Sequence, residues 1–103
     1  MAFLILRYRL KQGVTTSQFE EWVRTTDQPA MRGLRRVAAF DTFRVTGLLI
    51  GQGAPAQDYV ELFEITDLAG FTSDDMPGDT VQRIMGEFMG LVENPEFCIA
   101  EKL

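Results

Sequence analysis

The chain has 103 residues, 46% of them hydrophobic, with 15 acidic against 10 basic side chains and a formal net charge of −5. That length supports one hydrophobic core, so residues 1–103 are expected to form a single domain. The negative balance opposes binding to a phosphate backbone, and only Arg32, Arg35 and Arg36 cluster against it, so no nucleic-acid partner is expected. Arg7 and Arg9 interrupt the apolar start well before the roughly 18 residues that a membrane span needs, and no leader pattern precedes them. A cytoplasmic protein that does not enter a membrane is the expectation.

In chain order, Phe3-Leu4-Ile5-Leu6-Arg7-Tyr8-Arg9-Leu10 predicts a first strand that is apolar on both faces over its first half. Helices can cover only one sheet face in so short a chain, so the other face calls for a second copy of the chain, a homodimer. Lys11-Gln12-Gly13 makes a turn, and a helix begins at Thr16 or Ser17, with Ser17 three residues before Glu20 in a capping-box arrangement. Phe19, Trp22, Val23 and Thr26 share its apolar face, and Pro29 ends or restarts it. Residues 37–50 read as a long second strand, residues 51–57 as a hairpin loop, and Tyr59–Ile65 as a third strand. Asp67 can cap a following helical turn, and Pro77-Gly78-Asp79 breaks and re-caps it. Val81, Ile84, Met85, Phe88, Met89 and Val92 form the buried stripe of the last helix, Asn94-Pro95 stops it, and a fourth strand runs to Leu103. The order strand, helix, strand therefore occurs twice.

Two absences narrow the chemistry. There is no histidine, so imidazole-based nucleophile activation, imidazole metal sites and proximal haem ligation are excluded, and proton transfer falls to carboxylates, tyrosine or lysine. Cys98 is the single cysteine, set in an apolar strand, where a buried inert thiol is expected. Gly47 and Gly51-Gln52-Gly53 do not open a helix, so no phosphate-binding loop is read, and no carboxylate array matches a calcium loop. Met76, Met85 and Met89 read as core filling rather than as ligands. No metal and no cofactor are expected.

Polar residues at apolar positions remain. Tyr59, Glu61, Phe63 and Ile65 share one face of strand three, so Glu61 interrupts an apolar surface. A carboxylate taken out of water either meets a cation, for which Arg44 and Arg7 are candidates, or takes a raised pKa suited to a general acid or base. Trp22 beside Phe19 reads as core or as a platform for an aromatic ligand.

The opening strand through Val14, the Pro29-Ala30-Met31 turn and the Asp58-Tyr59-Val60-Glu61-Leu62-Phe63-Glu64-Ile65 strand resemble the dimeric α/β-barrel superfamily. That superfamily includes stress-responsive barrel proteins, antibiotic-biosynthesis monooxygenases and a polyketide cyclase. Nearly the whole chain is similar to the RedY-like proteins, encoded with prodiginine pigment pathways. The resemblance implies an α+β ferredoxin-like fold, a split β-α-β with an antiparallel four-stranded sheet, assembled as a dimeric α/β barrel. It also implies a part in prodigiosin-type biosynthesis. In the cyclase-type barrels a His-Pro-x-His segment supplies a catalytic imidazole; the matching segment here is Met76-Pro77-Gly78-Asp79, which leaves Asp79 either as a carboxylate substitute or as a helix cap. Tyr59 stands where another imidazole sits in that group.

The resulting expectation is a cofactor-free site between sheet and helices. Asp79, Glu61 and Tyr59 would act in acid–base, cyclase-like chemistry, and Tyr8, Trp22, Leu4 and Leu6 would hold a small planar aromatic or pyrrolic pathway intermediate. A non-catalytic carrier or assembly partner of other pathway enzymes is the alternative, and a cofactor-free monooxygenase a second.

Overall fold

The computed structural model describes residues 1–103. Strand β1 (Ala2–Leu10) leads into helix α1 (Thr16–Trp22), which continues through a π-helical turn (Val23–Asp27) into α2 (Gln28–Arg32), followed by β2 (Val37–Arg44). Strand β3 (Tyr59–Ile65), the short α3 (Leu68–Gly70), a second π-helical turn (Phe71–Asp75), α4 (Asp79–Met89) and β4 (Val92–Ala100) complete the chain. The four strands form one antiparallel sheet in the order β2-β3-β1-β4. This is the α+β ferredoxin-like arrangement.

Pleating divides the sheet into two unlike faces. Leu4, Leu6 and Tyr8 of β1 pair with Phe63, Glu61 and Tyr59 of β3 on the helix side, and Phe40 of β2 stacks on Phe63 with ring centroids 4.0 Å apart. Phe19, Val23 and Met31 from the first helical run and Val81, Ile84 and Phe88 from α4 close over these residues to form the core. The opposite face carries Phe3 and Ile5 beside Val60, Leu62, Phe43, Cys98 and Ala100, and no helix of the chain covers it.

Several boundaries differ from the sequence reading for local reasons. The capping box lies at Thr15, whose side chain accepts from Gln18 N while Gln18 reaches back to the Thr15 backbone; Ser17 is already helical and Glu20 is engaged elsewhere. Of the two readings for Pro29, restart holds: it stands in the first turn of α2. The preceding turn widens so that Gln28 N bonds the Val23 carbonyl, and Asp27 rather than Thr26 is buried. Strand β2 ends at Arg44 rather than at residue 50, because the ladder stops after Val45 N meets the Asp58 carbonyl. Gly51 and Gly53 then take positive φ, and Leu49 stands 99% exposed. Strand β4 begins at Val92, ahead of Asn94-Pro95, since an edge strand tolerates a proline and a register shift opposite Arg7 and Arg9 absorbs the irregularity. Met89 turns outward, and Cys98 is half-buried on the uncovered face.

Candidate functional site

Between the sheet and the helices lies an apolar groove of about 260 Å³ whose walls include Leu4, Leu6, Met31, Phe63, Met85 and Phe97. Its mouth is the β4 edge, where Phe97 and Ile99 are 48% and 66% exposed. At its inner end a cavity of about 50 Å³ shares Leu6, Met31, Phe63, Val81, Met85 and Phe97 with the groove and adds two carboxyl groups, Asp27 and Glu61.

Glu61 comes from the centre of β3 and is 2% exposed. No arginine reaches it; the sequence candidates are spent elsewhere, Arg7 on Glu96 at 3.0 Å and Arg44 on Glu20 at 2.6 Å. Its partner is Tyr8, fully buried on β1, whose hydroxyl donates to Glu61 Oε2. Burial pushes the Glu61 carboxyl up to about 8, the neighbouring Asp27 charge pushes in the same direction, and the Tyr8 hydrogen bond opposes both. The Tyr8 hydroxyl is itself held well above the ordinary phenol range, by burial first and by Glu61 second.

Asp27 closes the π turn and is 3% exposed. Burial raises its carboxyl to about 7, with Arg32 pulling the other way, and no protein group hydrogen bonds to its Oδ2. Sequence reasoning passed over this residue, placing Thr26 on the inward face and not weighing Asp27, four residues after Val23. The available signal was the Asp27-Gln28-Pro29 sequence, a buried-face carboxylate two residues before a proline.

The other expected site residues differ in what they reach. Leu4 and Leu6 line the groove, and Tyr8 meets its inner end through Glu61. Tyr59 lies two residues along β3, about 7 Å from Glu61 by strand geometry, and its hydroxyl donates to Glu20 Oε2 at 2.6 Å. Arg44 grips the same carboxylate with Nε and Nη2, both at 2.6 Å. The Arg44 hydrogen bonds, then the Tyr59 bond, hold Glu20 down at about 2, while burial and Glu20 raise Tyr59 to about 12. Tyr59 is thereby fixed in a separate polar pocket with Thr42 and Arg24. Trp22 donates its indole N–H to Glu87 at 2.9 Å and packs behind Phe88, a wall of the small cavity, lining neither cavity itself. Asp79 is an exposed first-turn residue of α4 that caps nothing, Gly78 occupying the cap position, and it lines neither cavity. Of the four residues expected to share a pocket, Tyr8 and Tyr59 do stack, with ring centroids 6.0 Å apart, and Trp22 joins them through Phe19, but Trp22 and Asp79 line neither cavity; the groove ends instead on Glu61 and Asp27, with Tyr8 behind Glu61. The chain holds no helix long and apolar enough to cross a membrane.

Comparison with known proteins agrees with this architecture. HapK from Hahella chejuensis superposes with a TM-score of 0.82 at 30% identity, over all of this chain and 93% of that one. A dimeric ferredoxin-like protein of unknown function from Thermobifida fusca shares the fold at 14% identity and a TM-score of 0.75, covering 96% of this chain and 88% of its own. SnoaB, a cofactor-independent oxygenase from Streptomyces nogalater, shares it at 12% identity and a TM-score of 0.75, covering 98% and 91%. No curated protein matches the sequence. Residues 2–103 match the family described as REDY-like protein HapK, and with that match over nearly its full length the chain belongs to this family.

Proposed function

We propose that this protein binds a planar aromatic or pyrrolic intermediate of a prodigiosin-type pathway in the groove and moves a proton on it with Glu61, without a cofactor. The observation that carries the reading is the position of Glu61: a buried carboxyl with no cation partner, in the small cavity that adjoins an apolar groove. Leu4, Leu6, Met31, Phe63 and Met85 supply apolar walls against which the faces of a ring can pack. A carboxyl raised to about 8 holds its proton at neutral pH and can deliver it as a general acid, then take it back as the charge on the ligand develops. Tyr8 fixes the orientation of that carboxyl.

The test is turnover. Purified protein mixed with candidate pathway intermediates should yield a product detectable by mass spectrometry, and Glu61→Gln should slow its formation at least ~100-fold while leaving the fold intact. Ligand binding without product in the wild-type protein would favour the carrier reading instead. Cofactor-free oxygenation, the activity named for SnoaB, requires uptake of molecular oxygen into the product and is separable in the same assay.

The uncovered sheet face supports a homodimer. Phe3, Ile5 and Leu62 lie side by side there with no helix of their own chain over them. Light scattering should give about twice the 11.6 kDa chain mass, and Ile5→Asp should shift the protein to the monomer.

A further inference from the structure

The groove is lined almost wholly by carbon, and its inner cavity of about 50 Å³ is too small for a whole aromatic ring. A planar ligand seated in the groove can send only one edge inward, where that edge meets Asp27 and Glu61. Tyr8 already supplies a donor to Glu61. Asp27 has no such donor: it is 3% exposed and its Oδ2 has no hydrogen-bond partner in the protein. A buried acceptor left unpaired costs about 1–3 kcal/mol, and more when charged, so a ligand that brings a donor to this point recovers that cost, whereas one bringing an ether oxygen or a methyl group does not. The nearest cation, Arg32, cannot serve, since its guanidinium is turned to the Phe40 carbonyl at 2.8 and 3.0 Å and to Asp41 at 3.1 Å.

We infer that Asp27 is the recognition residue of the site, accepting a hydrogen bond from a ring N–H on the inward edge of an otherwise apolar, planar ligand. This rests on the reading of the groove as an aromatic-binding site and adds the chemical feature that selects the ligand. Asp27 closes the π turn, and there its carboxyl lines the cavity.

Indole and benzofuran separate the two ideas, since they share shape and differ in the N–H. Titrated into the intact protein and followed by amide chemical shifts, indole should bind and perturb Leu6 and Phe63, and benzofuran should bind about tenfold more weakly, the worth of one hydrogen bond to an ionisable acceptor. In Asp27→Leu, which exchanges a buried carboxyl for a side chain of similar size, the two affinities should converge; Asp27→Asn, which keeps an acceptor oxygen, should retain part of the preference. Equal binding of both rings to the wild-type protein overturns the role of Asp27 and leaves the groove reading standing. A preference that survives in Asp27→Leu overturns it as well. Binding of neither ring up to the solubility limit removes both.

Discussion

In each half of the chain the helical segment after the leading strand loosens into a π turn, ends on an aspartate and meets a proline two residues later: Val23–Asp27 before Pro29, and Phe71–Asp75 before Pro77. The aspartates then part company. Asp75 is gripped by Arg36, whose Nη1 lies 3.4 Å from both carboxylate oxygens and whose other nitrogens reach Asp74 at 3.2 Å and Asp67 at 3.5 Å. Asp27 faces a carbon-lined cavity and a second carboxyl. The same backbone device thus produces a structural ion-pair cluster in one half and an unpaired buried acid in the other. A π turn decides where a side chain points; whether that side chain has a structural partner depends on what the opposite elements bring to it.

The largest expected effect tests the unpaired half. Glu61 and Asp27 rise from ordinary values of 4.5 and 3.8 to about 8 and about 7, so between those limits the folded protein binds more protons than the unfolded chain. Their contribution is therefore complete below about pH 4 and is lost as pH rises through 7 and 8, with a slope of about 1.4 kcal/mol per pH unit for each titrating carboxyl. Urea midpoints measured from pH 5 to 8.5 should fall steadily, and the Asp27→Asn, Glu61→Gln double variant should flatten the curve. A midpoint that climbs with pH across this range contradicts the assignment of both carboxyls as buried without an ion-pair partner. Below pH 4 the trend should turn over, since Glu20, held down at about 2, then loses its bonds to Arg44 and Tyr59.

A smaller effect sets the two aspartates against each other. At pH 8 Asp27→Asn should stabilise the protein, on the order of 2–4 kcal/mol, because it removes a carboxylate that must ionise out of water. Asp75→Asn should lower the urea midpoint, because Arg36 loses a half-buried partner. Shifts of the same sign in the two variants would erase the contrast between the halves.

The smallest concerns a feature the halves share. Thr15 caps α1 by accepting from Gln18 N at 3.1 Å, and Asp67 caps α3 by accepting from Gly70 N at 3.0 Å. Each alanine replacement should cost about 1 kcal/mol, read as a drop in the thermal midpoint at fixed pH.

Much of this architecture follows from local pattern. The twofold order of strand, helix and strand, the bounds of Tyr59–Ile65, the Asp67 cap and the stripe of Val81, Ile84 and Phe88 are all set by periods of two and 3.6 and by turn chemistry, which the chain carries residue by residue. The burial of Glu61 was equally legible, because its neighbours Tyr59 and Phe63 fix the inward face. What fills the space around such a residue is another matter. Glu61 meets Tyr8, 53 positions away, and Tyr59 meets Glu20, 39 positions away, through pairings that exist only once the strands are in register and the helix is laid across them. The assignment of Asp79 to the site followed its place in a motif, but Gly78 takes the cap position of helix α4 and Asp79, its first residue, is left in solvent. Asp27 shows the limit most plainly. Its spacing, four residues from Val23 and eight from Phe19, is compatible with the inward face, but whether the π turn ahead of Pro29 sets it in a cavity, and whether a cation pairs with it there, are properties of the packed molecule: burial raises its carboxyl while Arg32 is spent on Phe40 and Asp41.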